Sequence, residues 1–315
     1  MYNKNNKKEV TIKDIASLIC SKTGIPLYEI LKDNKKAIYT IKTVLLENII
    51  GQNEVINRLV DITKRIKLGY KDNKCISLLF VGPSGVGKTK LATLFASLIS
   101  KQKVIKLDMS EYSDNMALSK FIGSTAGYIG YEDNKYALNI IKDNPNSVII
   151  LDEIDKAHPK IINLLYQILE DAQIKDAKNN IINFSNNIII MTSNAGEEQK
   201  NIGFNQNNAP DTKLKETFDT PFINRIDDII KFNHLTEENI HKIILKDLKE
   251  LKNKYQEITI NIDNEVINEL IKESNYKEYG ARRINKIIKN KIESTIIDNI
   301  IEEKKEVNII SIFQK

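Results

Sequence analysis

Residues 82–89 read Gly82-Pro83-Ser84-Gly85-Val86-Gly87-Lys88-Thr89. The apolar run 75–81 precedes them as a buried strand, and Leu91, Leu94, Phe95 and Leu98 follow on one face of a helix. Glycines let the backbone fold tightly around phosphate oxygens, with N–H groups pointing inward at the positive end of that helix. In such a loop Lys88 reaches the β- and γ-phosphates, and the Thr89 hydroxyl ligates Mg²⁺. A chance glycine-rich turn is the competing reading; the strand before, the helix after and the Lys-Thr pair weigh against it. The expected cofactors are ATP and Mg²⁺.

Outward from this loop, apolar runs recur at 104–107, 148–151 and 188–191, separated by helical patterns such as Ile161, Leu164, Leu165 and Ile168. Strands alternating with helices predict an α/β fold whose parallel sheet is covered on both faces. Ligands of such sheets bind at the C-terminal strand ends, where Asp108, Asp152, Glu153 and Asn194 follow their strands. With a phosphate loop upstream, Asp152 is the expected metal residue beside Thr89, and Glu153 the group that polarises the attacking water. An acid pair favouring a helix start is the rival role for these two. Asn194 is expected to contact the attacking water or γ-phosphate, or else to be an ordinary turn residue before Gly196.

The other segments set the domain plan. Residues 1–40 are expected to be a polar and helical linker, with a helix over 10–19 capped by Thr11 and a Lys-rich helix ending near Thr40. A large α/β domain is expected over 41–234, opening with the turn Ile49-Ile50-Gly51-Gln52 and an amphipathic helix over 53–67. Residues 235–315 predict a small, mostly helical domain: Ile240, Ile243, Ile244, Leu248 and Leu251 share one face, and strand patterns lie at 257–262 and 307–313. The Asn-rich stretch 197–212 reads as a loop.

Composition narrows the classes. A net charge of +5 on 315 residues, without a basic block, argues against a nucleic-acid partner. No apolar run reaches the roughly 18–20 residues that span a bilayer, so no membrane partner is expected. The two cysteines, Cys20 and Cys75, have no metal or redox spacing and read as reduced core residues. His158, His234 and His241 have no metal spacing either.

The motifs together resemble the second ATPase module of the Clp unfoldases of the AAA+ class, most like ClpC and ClpA. The matching pieces begin with Thr23-Gly24-Ile25-Pro26, Ile50-Gly51-Gln52, the phosphate loop, Leu107-Asp108-Met109-Ser110-Glu111-Tyr112 and Gly127-Tyr128-Ile129-Gly130-Tyr131. They continue in family order with Leu151-Asp152-Glu153-Ile154-Asp155-Lys156-Ala157-His158-Pro159, Thr192-Ser193-Asn194, Phe222-Ile223-Asn224-Arg225-Ile226-Asp227 and Tyr279-Gly280-Ala281-Arg282. The resemblance implies an AAA+ P-loop ATPase with a C-terminal lid domain. Such subunits form homo- or hetero-hexamers with other Clp chains, and thread unfolded polypeptides through the ring pore into a ClpP-type peptidase.

It also implies roles. Arg225 matches the arginine finger that enters the neighbouring subunit's site, against the plainer role of an ion pair with Asp227 or Asp228. Arg282 matches the lid arginine that senses the γ-phosphate, against that of a helix-start cation. Ile49 and Ile50 lie against adenine. Gly127, Tyr128, Ile129 and Gly130 form the pore loop that grips substrate. Ile202, Gly203 and Phe204 form the tripeptide that docks on the peptidase ring.

The chain departs from the pattern in places. It carries neither the N-terminal recruitment domain nor the first ATPase module usual in ClpC and ClpA, so a split or reduced subunit is expected. Gly-Arg pairs usual near both ends of 171–180 are replaced by Ala172-Gln173 and Asn179-Asn180, and Asp133 and Asn134 replace glycines expected after Tyr131. Rival expectations are a protease-independent chaperone and a weakly hydrolysing subunit of a mixed ring. The Asn, Ile and Lys excess suggests an AT-rich genome, hence a plastid stroma of apicoplast type, with the bacterial cytoplasm as the alternative.

Overall fold

The computed structural model describes residues 10–23, 34–67, 75–100, 103–123, 136–195 and 210–312. At its centre is a five-stranded sheet of β1 (Ile76–Val81), β2 (Val104–Asp108), β3 (Val148–Asp152), β6 (Ile188–Ser193) and β7 (Asp228–Lys231). The order is β2-β3-β6-β1-β7, every pairing parallel. A short antiparallel hairpin, β4 (Gln173–Lys175) and β5 (Ile181–Asn183), stands apart from it. The central strands are apolar throughout because both faces are covered. Leu78, Phe80, Ile150 and Ile190 face a layer containing the helices Asn53–Lys67 and Lys88–Ile99. Leu79, Ile149, Leu151 and Met191 face the helices Ala117–Ile122, Ala137–Lys142 and Pro159–Asp171.

Register fixes where chemistry gathers. Asp108 aligns with Asp152, and Val81 with Ser193, so their chain continuations Glu153, Asn194 and Gly82 leave the sheet along one edge.

The last eighty or so residues form a helical unit around a parallel pair, β8 (Thr259–Ile262) with β9 (Glu306–Ile309). Its first helix, Glu237–Lys254, starts where Thr236 accepts the Asn239 N–H at 3.3 Å. Glu237 and Glu238 in its first turn and Lys252 and Lys254 in its last complement the helix dipole. Ile240, Ile244, Leu248, Ile284 and Ile288 belong to the same apolar core as Ile56, Leu91 and Phe95. The helical unit thus shares an apolar core with one side of the sheet.

Several elements differ from expectation. The helix expected to end near Thr40 runs over Asn34–Asn48, burying Ala37, Ile41 and Leu45; the line drawn between residues 40 and 41 falls inside it. The first helix, Ile12–Thr23, leaves Ile15 and Leu18 exposed. Residues 210–212, read as loop, begin the helix Pro210–Thr217. Strand β7 lacked an apolar run: its Asp228 is buried and instead receives Arg58 and Arg65 from the helix Asn53–Lys67. Cys75 is buried as expected, and the expectation for Cys20 falls outside what is described.

Candidate nucleotide site

The strand β1 delivers residues 82–89 to the sheet edge, and the helix Lys88–Ile99 begins inside the loop. Lys88 is buried, and its Nζ donates to the carbonyls of Gly82 at 2.7 Å and Pro83 at 2.6 Å and to Asn194 Oδ1 at 2.9 Å. Lys88 and Asn194 are therefore already in contact. The Asn194 N–H in turn donates to Asp155 Oδ1 at 3.2 Å, tying the end of β6 to the turn after β3.

Asp152 anchors a second cluster. Its Oδ1 accepts from Thr89 Oγ1 at 2.7 Å and from Thr192 Oγ1 at 2.6 Å, while Oδ2 pairs with Lys106 Nζ at 2.9 Å. Burial opposes the charge on this carboxyl most strongly, yet the hydrogen bonds from Thr192, Lys106 and Thr89 outweigh it and hold the group below its usual range. An ionised carboxylate beside a threonine hydroxyl at the phosphate loop suits a hard cation such as Mg²⁺, which takes few protein oxygens alongside phosphates. Among the described residues no set of three or more His, Cys, Asp or Glu side chains could hold a metal by itself.

Glu153 sits next in the chain with φ 56°, a left-handed backbone costly for a side-chain-bearing residue. Its N–H donates to Thr192 Oγ1 at 3.0 Å, so one hydroxyl fixes both acids: it accepts from Glu153 and donates to Asp152. The Glu153 carboxylate pairs with Lys156 in the following turn.

A cavity of about 270 Å³ opens beside these groups. Its walls include Ser84 to Lys90, Glu153, Thr192 and Asn194 on the sheet side, Ile49 and Ile50 from the turn, and Leu235, Ile243 and Arg282 from the C-terminal unit. Gln52 secures the turn by exchanging hydrogen bonds with the backbone of Asn233, at 2.9 and 3.2 Å. The C-terminal unit meets the phosphate loop backbone to backbone. Ala281 N–H donates to Gly85 O at 3.0 Å, and a Cβ on Gly280 would stand 2.6 Å from the Gly85 carbonyl. Arg282, exposed at the start of the helix Arg282–Ile287, is carried to the cavity by this contact.

Arg225 is elsewhere. It follows the short helix Thr220–Ile223 and pairs with Glu170, Nε at 3.0 Å and Nη2 at 2.8 Å, with its guanidinium 5.3 Å from the Tyr166 ring centre. Neither Asp227 nor Asp228 is its partner: Asp227 accepts from Ser77, and Asp228 from Arg58 and Arg65. Of the three histidines, His158 caps the helix Pro159–Asp171, and His234 and His241 are exposed. Gly127, Tyr128, Ile129 and Gly130, and likewise Ile202, Gly203 and Phe204, lie outside the described residues.

Sequence reasoning missed Lys106, Lys246 and Asp247. The last two line the cavity from the helix Glu237–Lys254. A signal existed: Asp247 interrupts the apolar face of Ile240, Ile243, Ile244, Leu248 and Leu251, a place where a carboxylate needs a reason.

Residues 73–229 match the family described as AAA domain (Cdc48 subfamily), and residues 235–312 the family described as C-terminal, D2-small domain, of ClpB protein. Chaperone protein ClpB of Oceanobacillus iheyensis is 34% identical over 96% of this chain and 40% of its own length. Negative regulator of genetic competence ClpC/MecB of Bacillus subtilis is also 34% identical, over 93% of this chain and 39% of its own. The chain thus spans about two fifths of the length of these bacterial relatives. An Hsp104 structure with ATPγS and FITC casein, in a closed state, superposes with a TM-score of 0.79 at 29% identity, covering 93% of this chain and 53% of that one. The chain belongs to the Clp/Hsp100 family of AAA+ ATPases, corresponding to its second module and small domain.

Proposed function

We propose that the chain is an ATP-hydrolysing subunit of a polypeptide-translocating ring. The observation that carries this reading is the hydroxyl relay from Glu153 through Thr192 and Asp152 to Thr89, beside a cavity walled by the phosphate loop and Arg282. Residues 82–89 hold the phosphates, with Lys88 on the β- and γ-phosphates; Thr89 and Asp152 hold Mg²⁺, which neutralises phosphate charge; Ile49 and Ile50 flank the base. Glu153 polarises the attacking water, and Asn194, in contact with Lys88, aligns it. Arg282 senses the γ-phosphate from the lid side of a boundary at residues 234 and 235. Arg225 acts on a neighbouring subunit, where such fingers supply on the order of 10³–10⁵ in rate. Its place outside this chain's own cavity supports that division. Exchange of Glu153→Gln removes the base while keeping size, so ATP binding persists and turnover drops at least about a hundredfold. Unchanged turnover would sink the assignment.

Nucleotide-driven movement between lid and sheet domain moves Tyr128, with Gly127, Ile129 and Gly130, along the pore of a homo- or hetero-hexamer and pulls unfolded substrate. Ile202, Gly203 and Phe204 support delivery to a ClpP-type peptidase, since an aliphatic-Gly-aromatic tripeptide on a polar loop gains little otherwise. A protease-independent chaperone is the second reading, favoured by a ClpB relative as similar as ClpC. Deleting residues 202–204 separates the two: loss of peptidase binding supports the first, unaltered binding the second. Bacterial relatives favour a bacterial cytoplasm over the plastid stroma.

A further inference from the structure

Away from the cavity, the guanidinium of Arg225 is held in one orientation by three groups. Its Nε and Nη2 donate to Glu170 at 3.0 and 2.8 Å, and both bonds end on the same oxygen, Oε2. Nη1 donates to the Pro221 carbonyl at 3.0 Å, and the Tyr166 ring centre lies 5.3 Å from the guanidinium carbon. Tyr166 and Glu170 are four residues apart on the helix Pro159–Asp171, so one helix face supplies both the ring and the carboxylate. The base of this arrangement is packed and capped. Tyr166 donates its hydroxyl to Asp219, which also accepts the Phe222 N–H at 3.1 Å and so caps the helix Thr220–Ile223 that leads to Arg225. Phe222 is fully buried, with its ring centre 5.4 Å from those of Tyr166 and Phe218.

Counting donors shows what the arrangement leaves over. A guanidinium carries N–H groups on all three nitrogens, two of them on each terminal nitrogen. The bonds to Glu170 and Pro221 use the Nε–H and one N–H of each terminal nitrogen, so one on each remains without an acceptor among the described residues. Paired N–H groups on a planar fork match two oxygens of a phosphate. The Arg225 side chain keeps 33% of its surface exposed, so an approaching anion can reach it. Folding gains little from the pair, because Glu170 is more than half exposed and water screens its charge. Docking gains more: a loose arginine gives up rotamer freedom when it meets a phosphate, and one already fixed has less to lose.

We propose that Glu170 is the positioning residue of the arginine finger, fixing Arg225 so that its two remaining N–H groups meet the neighbouring subunit's γ-phosphate together. The inference rests on reading Arg225 as the group that acts on a neighbouring site. Glu170 works here through geometry rather than charge. A single oxygen accepts both N–H groups, so an uncharged oxygen at the same place serves as well. Glutamine supplies that oxygen, and alanine does not.

ATP turnover by the full chain tests this, with kcat and KM read separately. Glu170→Ala is expected to lower kcat about tenfold to a hundredfold, the cost of a group displaced by roughly an ångström, and to leave the KM for ATP within about threefold, since each site keeps its own phosphate loop. Glu170→Gln is expected to stay within about threefold of wild type in kcat. Because Glu170 is exposed, the urea midpoint of either variant should match wild type, so lost turnover is not lost fold. The defect should also follow the finger. Adding Glu153→Gln chain to Glu170→Ala chain gives the latter's sites a well-placed Arg225 from their neighbours, and turnover rises several-fold above the sum of the two proteins. Wild-type kcat in Glu170→Ala where Arg225→Ala is inactive, a glutamine variant as impaired as the alanine one, or a loss that mixing leaves in place would overturn this inference alone. If Arg225→Ala itself turns over ATP at the wild-type rate, the finger reading fails and the inference with it.

Discussion

Replacing Gly280 with alanine strikes the contact through which the C-terminal unit reaches the phosphate loop. Gly280 has φ 58° and ψ −146°, a region that only glycine enters cheaply, and an added Cβ would stand 2.6 Å from the Gly85 carbonyl carbon and oxygen and 2.8 Å from its Cα. All three are backbone atoms of a loop held by Lys88, so neither side yields by a rotamer change. Backbone strain costs about 1–3 kcal/mol, and overpacking a further 1–3 unless the two units part. Parting loses the Ala281–Gly85 hydrogen bond, worth about 1 kcal/mol. The smaller of the two escapes sets the outcome, about 2–4 kcal/mol of destabilisation in urea unfolding, with ATP affinity lowered about tenfold as Arg282 withdraws. Gly87→Ala is the control: φ is 102° there, but a Cβ would meet nothing within 4 Å, so strain alone applies, about 1 kcal/mol. If Gly280→Ala unfolds and binds ATP as wild type does, the two units are not coupled through this contact.

Two further outcomes follow from single atoms. Thr192→Val keeps shape but strips the hydroxyl shared by Asp152 and Glu153, leaving a part-buried N–H unmet; the expected loss is about 1–3 kcal/mol in urea unfolding. Because the Asp152 pKa lies below its ordinary value, its contribution is present at neutral pH and lost as pH falls through the folded value; the Thr192→Val deficit therefore shrinks in strong acid. Asp247 behaves oppositely. With its carboxyl pushed up to about 6 from 3.8, the folded chain binds the extra proton between those values, so stability falls as pH rises across that window. Asp247→Asn is then expected to be the more stable chain without nucleotide at pH 8, by on the order of 2–3 kcal/mol, and no more stable at pH 3, as read by thermal unfolding across pH.

Much of this was legible in the chain because local chemistry and position coincide. The phosphate loop carries its own glycines and Lys-Thr pair, and β3 is an uninterrupted apolar run ending in Asp152 and Glu153. Strand β7 was not legible, since Asp228 is buried by charge pairing with Arg58 and Arg65, residues 163 or more positions away. The hairpin β4–β5 was hidden likewise: three-residue strands carry too little alternation to register. There Ala172 and Asn179, at glycine positions of the family pattern, keep left-handed backbones with φ 51° and 63°. Asp247 was legible only as an exception in an apolar stripe; its place against the cavity needed the packing of the C-terminal unit on the phosphate loop.

The central claim is that each site has two owners: this chain supplies the phosphate loop and Glu153, and a neighbour supplies Arg225. Mixing Glu153→Gln protein with Arg225→Ala protein tests it directly through ATP turnover. Each variant alone is expected to be inactive. In mixed rings, an Arg225→Ala subunit keeps Glu153 and can receive Arg225 from a Glu153→Gln neighbour, so turnover should rise well above the sum of the two separate proteins. A mixture no more active than that sum, or Arg225→Ala alone turning over ATP at the wild-type rate, would contradict the account.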